Sequence, residues 1–528
     1  MTGRMREVEL VEAGGEPVPA RAAITSSRAL TPLEPEEPPE PGDDHVVTAR
    51  AWLRRHAIWL VPTAAVAVLA LVGTQLVLDA RERTRLAELA AIPGVVPPTG
   101  PDIGVIWRAD PSLATVMQGG TAVGGLMIGG KASTDGAVDL VALDTDTGAV
   151  AWTTPVHPPD AHVTPSGSPP STWVGCSPVQ HGDRALAACV SQQYGEDIVG
   201  LPASSAWVVD AADGAVVSQA EIPGGAGVAF TDDAMVVATR IDDADDGAAR
   251  TDAGSVRWRA TATDLLSGAP LWTYTTPVTD VLGREDGPEA ANATGSANLQ
   301  TFGDRMILAV DNHAWILRTD GSLVRDIALE PGSWLQAARA GVFIESSYTS
   351  GNTYTGTLLL ADGTEVPIQE TAGYLSVDDG SAPDVVLTVG QGPASISGLS
   401  ARDATTGKVL WHRNDAVVAG LLLHGTLYYA TEDSLQAVDA TTGRTRWSAH
   451  LDFQPQQLST DGRYLLVPGL AVSLQAYALG DGRLSWHKDL LAAAAGNRSE
   501  VFVQGFQSSG RDPRLFIWMD DGAVAVLG

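Results

Sequence analysis

The chain has 528 residues, with 63 Asp+Glu against 33 Lys+Arg and a formal net charge of -30. That acidity argues against a nucleic-acid partner, because phosphate affinity comes mainly from neutralising Lys and Arg. Hydrophobic residues at 44% exclude a chain disordered throughout, and two Cys exclude a disulfide-dense scaffold or a four-Cys zinc ribbon.

Residues 1–56 carry no hydrophobic periodicity. Pro32, Pro35, Pro38, Pro39 and Pro41 alternate with Glu34, Glu36, Glu37 and Glu40. Proline removes backbone donors and like charges repel, so the stretch is expected to be a disordered, Pro/Glu-rich cytoplasmic tail. Residues 57–78 hold no charged side chain. At ~1.5 Å rise per residue they would cover ~33 Å, against a hydrocarbon core of ~30 Å, which predicts a transmembrane helix. Arg residues are balanced across it, with Arg50, Arg54 and Arg55 before and Arg81, Arg83 and Arg85 after. Further Arg residues in the tail favour a cytoplasmic N-terminus. The implied partner is membrane lipid, and the implied placement is a single-pass cell-membrane protein with its larger part outside. Residues 79–102 are expected to form a juxtamembrane helix and a Pro/Gly stalk.

From residue 103 to 528 the pattern changes to short apolar runs separated by Gly and Asp, and one motif repeats. Asp144, Gly148 and Trp152 form one copy, and Asp264, Gly268 and Trp272 another. Asp403, Gly407 and Trp411 follow, then Asp439, Gly443 and Trp447. Each copy places Gly four residues after Asp and Trp four after Gly. Gly482 and Trp486 keep the second half, Asp210 and Gly214 the first, and weaker turns fall at Gly321 and Gly363. Asp can bond the backbone ahead of it and start a turn, and Gly can supply the positive φ that closes the hairpin. Trp then lands on the returning strand, where it can pack between sheets.

A spacing near 40 residues with several strands per unit is the signature of a β-propeller. The last strands, Arg514–Met519 and Ala523–Val526, have no outer strand after them, whereas Gly104–Arg108 looks like an outer strand with no blade before it. The N-terminal strand should therefore complete the C-terminal blade. Strict counting gives nine units. Because the copies at Gly321 and Gly363 are weak, the expected fold is all-β with about eight four-stranded blades, seven and nine also fitting.

The Asp-Thr-Gly-Trp repeat resembles that of the pyrroloquinoline-quinone-like propellers. That family includes quinoprotein alcohol dehydrogenases and non-enzymatic lipoproteins of outer-membrane protein assembly. The resemblance implies a propeller over 103–528, with the Trp residues docking one blade on the next. The dehydrogenases carry adjacent cysteines over the cofactor and a calcium-binding acid and amide set. Here Cys176 and Cys189 are thirteen apart and no such set maps onto the chain. No catalytic, cofactor-binding or metal residue is therefore assigned, and neither quinone nor calcium is expected.

Cys176 and Cys189 flank a turn between two candidate strands. They are expected to form a disulfide, with buried free thiols or a metal or redox site as the alternatives. Gly125–Lys131 has the glycines and lysine of a phosphate loop but lacks the following Ser or Thr and the helix. Asp242, Asp243, Asp245 and Asp246 lack the remaining ligands of an EF-hand. The low use of lysine, at Lys131, Lys408 and Lys488, suits a GC-rich bacterial source.

Three readings of function follow. The preferred one is a non-catalytic binding or scaffold module for a protein, peptide or cell-envelope ligand, contacted through the long insertions 157–175, 191–205, 241–256 and 280–297. The second is an enzyme using the propeller channel, such as a quinone-dependent dehydrogenase. The third is a sensor relaying to the tail.

Overall fold

Alternating apolar residues between Asp-to-Gly turns fold into antiparallel strands, and these assemble into nine sheets. The computed structural model describes most of residues 92–528 and scattered positions from 52 to 89. The main stretches outside it are 1–51, 57–72, 158–170, 195–202, 242–254, 281–295, 391–397 and 491–513. By internal contacts the chain forms two units, 1–79 and 80–528. In the first, Trp52 stacks on His56.

The sheets of the second unit are the blades of a nine-bladed β-propeller. Blades 1 to 8 occupy 121–157, 171–222, 227–280, 298–328, 334–368, 371–413, 419–450 and 459–489. In each, four consecutive strands run antiparallel from the channel outward, and blade 3 adds a short fifth. Blade 9 joins Leu515–Trp518, Val524–Leu527 and the N-terminal Val105–Ala109. Val105–Ala109 pairs antiparallel with Val524–Leu527, and Gly104 and Gly528 exchange backbone hydrogen bonds of 3.2 and 3.1 Å. The N-terminal strand thus closes the ring, as its sequence implied.

Nine blades correct the expected eight. The weak copies at Gly321 and Gly363 are complete four-stranded blades, 4 and 5, whose outer strands carry other residues where the motif has Trp. Apolar clusters fill the gaps between successive blades, which is why each sheet is apolar on both faces. Trp107, Met127, Leu143 and Phe516 lie between blades 9 and 1. Leu421, Leu435, Leu465 and Val467 lie between blades 7 and 8.

A second correction concerns the membrane. Among the described residues no helix is long and apolar enough to cross one. Of the expected span 57–78, only 73–76 and 78 are described, and the helical positions that follow include Arg81, Arg85 and Glu88. The transmembrane helix, its lipid partner, and the single-pass placement with cytoplasmic N-terminus and external propeller are therefore withdrawn. The rest of 57–78 and the expected tail 1–56, apart from Trp52 and His56, lie outside the described residues.

The stretch read as a stalk is packed onto the propeller at its C-terminal end. Leu89, Val95 and Val96 are each about as buried as core residues. Val95 forms a parallel bridge with Thr460, on the innermost strand of blade 8, and the Val96 amide donates to the Thr460 carbonyl at 2.8 Å. Thr99 donates to the Asp461 carboxylate from its amide (3.1 Å) and its hydroxyl (3.4 Å).

Candidate functional site

The repeated residues build a docking ring. Asp144 accepts hydrogen bonds from the Asp146 and Thr147 amides and the Thr147 hydroxyl, which fixes the turn. Asp264 does the same with Leu266 and Ser267, and Asp403 with Thr405 and Thr406. These bonds favour the ionised form, the hydroxyl contributing most, so all three carboxyls titrate below the usual aspartate range. Asp439 bonds Thr442 and Arg446.

The tight turn then receives a Trp from the preceding blade. The indole N–H of Trp107 donates to the Thr145 carbonyl at 2.8 Å, beside Gly148. Trp152 reaches Ala211 on the Gly214 turn, and Trp272 reaches Thr319 on the Gly321 turn. Trp411 reaches Ala440 beside Gly443, and Trp447 reaches Leu479 beside Gly482. Trp486, on the outer strand of blade 8, stands edge-on to Tyr464.

Gly148 and Gly268 separate the two duties of the turn glycine. Both have positive φ, at 68° and 65°. A Cβ on Gly148 would sit 2.4 Å from the Trp107 ring, whereas nothing lies within 4 Å of one on Gly268, because Ser218 of blade 2 stands where a Trp would dock. Gly268→Ala should cost only the backbone strain of about 1–2 kcal/mol. Gly148→Ala should add about 1–3 kcal/mol of overpacking. Urea midpoints of the two variants measure the difference, and equal losses would refute the docking account.

Two joints use polar groups instead. Between blades 4 and 5, Arg325 takes the Trp position. It donates to the Leu360 and Gly363 carbonyls at 3.4 and 3.3 Å and to Glu365 at 2.9 Å. Between blades 5 and 6, Val366 fills the space at Gly407. Here the face of blade 6 carries a buried network. Glu370 accepts from Thr388 (2.5 Å), Ser400 (2.6 Å) and Arg402 (2.9 Å). Burial alone would raise the Glu370 carboxyl, but Arg402, Ser400 and Thr388 together hold it below the usual range. Ser400 also bonds His412, which bonds Asn414. Ser400 is 1% exposed and its acid partner contacts it rather than the imidazole, so this Ser–His pair is structural.

The channel is treated differently on its two sides. On blades 7 and 8 the chain covers the innermost strands itself. Residues 376–379 run parallel to Ala419–Leu423: the Ser376 amide donates to the Gly420 carbonyl (2.9 Å), Leu422 to Val377 (2.8 Å) and Asp379 to Leu422 (3.3 Å). Val95 and Val96 do the same for Ser459–Thr460. On blades 2 to 4 the chain covers less: the short helix Ala114–Gly119 packs against Val174 of blade 2 and the Gly225 carbonyl accepts from the Ala297 amide at 2.8 Å, and the rest of these innermost strands face a cavity of about 1430 Å³. Its walls include Trp173, Phe230 and Gln300. Asp232, Asp233, Asp304 and Asp320, from the turns of blades 3 and 4, line it too. Arg305 lies 3.7 Å from Asp304, and His181 lies 3.4 Å from Asp233.

Cys176 lies in this wall, and Cys189 is buried behind it. Cys176 and Cys189 are directly opposed on the two inner strands of blade 2, Ser171–His181 and Arg184–Tyr194, and are joined as a disulfide. Gly125–Lys131 overlaps a strand, Leu126–Ala132, and holds no helix N-terminus. The acidic run 242–246 and most of the insertions expected to make contacts lie outside the described residues. Their flanking strand ends share one face of the propeller, opposite the Asp-to-Gly turns. Among the described residues no three His, Cys, Asp or Glu side chains converge as a metal site.

Of the cavity acids, Asp320 belongs to the Gly321 turn that the sequence shows, whereas Asp232, Asp233 and Asp304 did not stand out. Their signal is a second set of turns, at Asp232-Asp233 and Gly303-Asp304, between the two inner strands of blades 3 and 4.

The closed ring, with Trp docked on the neighbouring turn, defines a nine-bladed β-propeller. A family model described as the outer membrane protein assembly factor BamB matches residues 361–449 and 395–512. Among solved structures, the chain is similar to BamB from Moraxella catarrhalis at 14% identity and a TM-score of 0.37, over 77% of this chain and 95% of that one. It is similar to the quinohemoprotein alcohol dehydrogenase from Comamonas testosteroni at 13% identity and a TM-score of 0.37, over 81% of this chain and 76% of that one. The computationally designed Ika8 protein matches at 13% identity and a TM-score of 0.35, over 82% and 99%. The comparison with curated protein sequences finds no match.

Proposed function

We propose that this protein is a non-catalytic propeller that binds a protein or peptide partner and acts as a scaffold. The observation that carries the reading is the divided channel. Its own chain covers the inner strands of blades 7 and 8, while those of blades 2 to 4 line an open cavity. A cavity with mixed polar and aromatic walls is a default site for a ligand. The repeat adds nothing catalytic, since its Asp, Gly and Trp are engaged in turns and docking.

A photo-crosslinking amino acid tests this in intact cells. Placed at Gln300, in the cavity, it should yield a discrete crosslinked species on irradiation. Placed at Leu484, which is 52% exposed on the outer strand of blade 8, it should yield none. The same species from both positions, or none from Gln300, would reject the cavity as the binding site.

A further inference from the structure

We propose that the open half of the channel binds an extended, basic polypeptide segment, added as a strand to the channel edge of Asn298–Phe302 in blade 4. The proposal rests on the binding reading above and names the class of partner.

The first support is what the same channel does elsewhere. The innermost strands of a propeller present one edge to a neighbouring strand and the other to the channel. In blades 7 and 8 those channel edges are covered by parallel segments of this chain, through backbone hydrogen bonds. The effect on burial is plain. Gly420 to Leu423 are all buried, as are Ser459 and Thr460. In Asn298–Phe302 only Leu299 is buried, and Phe302 is 39% exposed. Just before this strand the Ala297 amide donates to the Gly225 carbonyl, between blades 2 and 3, at 2.8 Å; beyond that point Leu299, Gln300 and Thr301 line the cavity, and among the described residues no strand pairs with that edge. An uncovered strand edge is a template for pairing with another chain.

The second support is size and charge. The cavity of about 1430 Å³ exceeds the usual small-molecule pocket of ~300–1,000 Å³. Four acids line it, Asp232, Asp233, Asp304 and Asp320; Arg305 lies 3.7 Å from Asp304, Arg318 stands near Asp320, and the His181 ring lies 3.4 Å from Asp233. The Asp320 carboxyl is held below its usual range by the Ser322 hydroxyl and amide. A strand bearing Arg or Lys at alternate positions would pair its backbone with blade 4 and direct its cations to the acids of blades 3 and 4. Alternate side chains of a strand point to opposite faces, so one charged face suffices.

The test uses the full chain and a fluorescein-labelled octapeptide of alternating Arg and Thr, followed by fluorescence anisotropy. The peptide should bind, and the same peptide with Glu for Arg should not. N-methylation of alternate backbone amides should weaken binding roughly tenfold when it falls on the pairing set, and far less on the other set. Asp233→Asn with Asp304→Asn should weaken it by a similar factor. Equal effects of the two N-methylated sets would overturn strand addition, and an unchanged affinity in the Asn variant would overturn the charge assignment. If the Gln300 crosslink persists while the basic peptide fails to bind, this inference falls and the binding reading stands. If neither is seen, both fall.

Discussion

Replacing Glu370 by alanine is expected to lower stability by about 3–5 kcal/mol, because it strips a buried cation of its partner. Glu370 and Arg402 are paired at 2.9 Å, each side chain 12% exposed, on the face of blade 6 that meets blade 5. Removing the carboxylate leaves the Arg402 guanidinium with the Gly407 carbonyl, at 3.2 Å, as its one partner among the described residues. It also leaves Thr388 and Ser400 without the acceptor they share. This joint has little apolar reserve: its cluster is Val342, Ile344, Leu358, Leu360, Ile368 and Val386, with no Trp between the blades. The urea midpoint of Glu370→Ala measures the loss. Pairing Glu370→Leu with Arg402→Met should recover most of it, since apolar groups of similar volume often replace a buried ion pair without loss. A loss under about 1 kcal/mol in the single variant would mean that water reaches the network and that the joint is held by its apolar residues.

The contrast between joints explains which parts of the molecule could be read from the sequence. Turn and docking residues lie within a few positions of one another, so Asp144, Gly148 and Trp152 announce a blade from a single window. Blades 4 and 5 were harder to read because Arg325 and Val366 do the work of the missing Trp, and neither belongs to a pattern. The network at Glu370 was illegible for a stronger reason. Its members span 370 to 412 and acquire meaning only when three strands stack them on one face. The candidate cavity was illegible as well. Its openness depends on which inner strands are covered, and the covering segments come from residues 95–96 and 376–379, far from the blades they cover. A signal did exist in the first of these. Val95 and Val96 are apolar residues inside a Pro/Gly run, an unexpected choice for a solvated stalk and a natural one for a buried strand. The withdrawn membrane span belongs to the same lesson, since an uncharged run defines a hydrophobic segment and not its surroundings.

Deleting residues 102–109 is expected to have the largest effect of any change considered, because it opens the closed ring where Val105–Ala109 pairs with Val524–Leu527. The strand supplies the outer edge of blade 9, pairing Trp107, Arg108 and Ala109 with Val526, Ala525 and Val524. It also supplies the docking residue for the next blade. Trp107 is 8% exposed, lies over Gly148 and donates to Thr145. Trp107→Ala alone should cost about 3–5 kcal/mol, the usual range for a buried Trp. The deletion should cost more, since it also removes Ile103, which packs with Leu474, Leu515 and Leu527 between blades 8 and 9. It would further expose the edge of Val524–Leu527, which invites pairing between molecules. Size-exclusion chromatography of the deleted protein should therefore show association, and its thermal unfolding should begin well below that of Trp107→Ala. A synthetic peptide covering 102–110, added in excess, should restore part of the loss by binding the folded state. A deletion variant that stays monomeric and unfolds at the temperature of the full chain would show that the ring does not depend on this strand. The closing role of Val105–Ala109, and with it the reason a Trp stands at position 107, would then be lost.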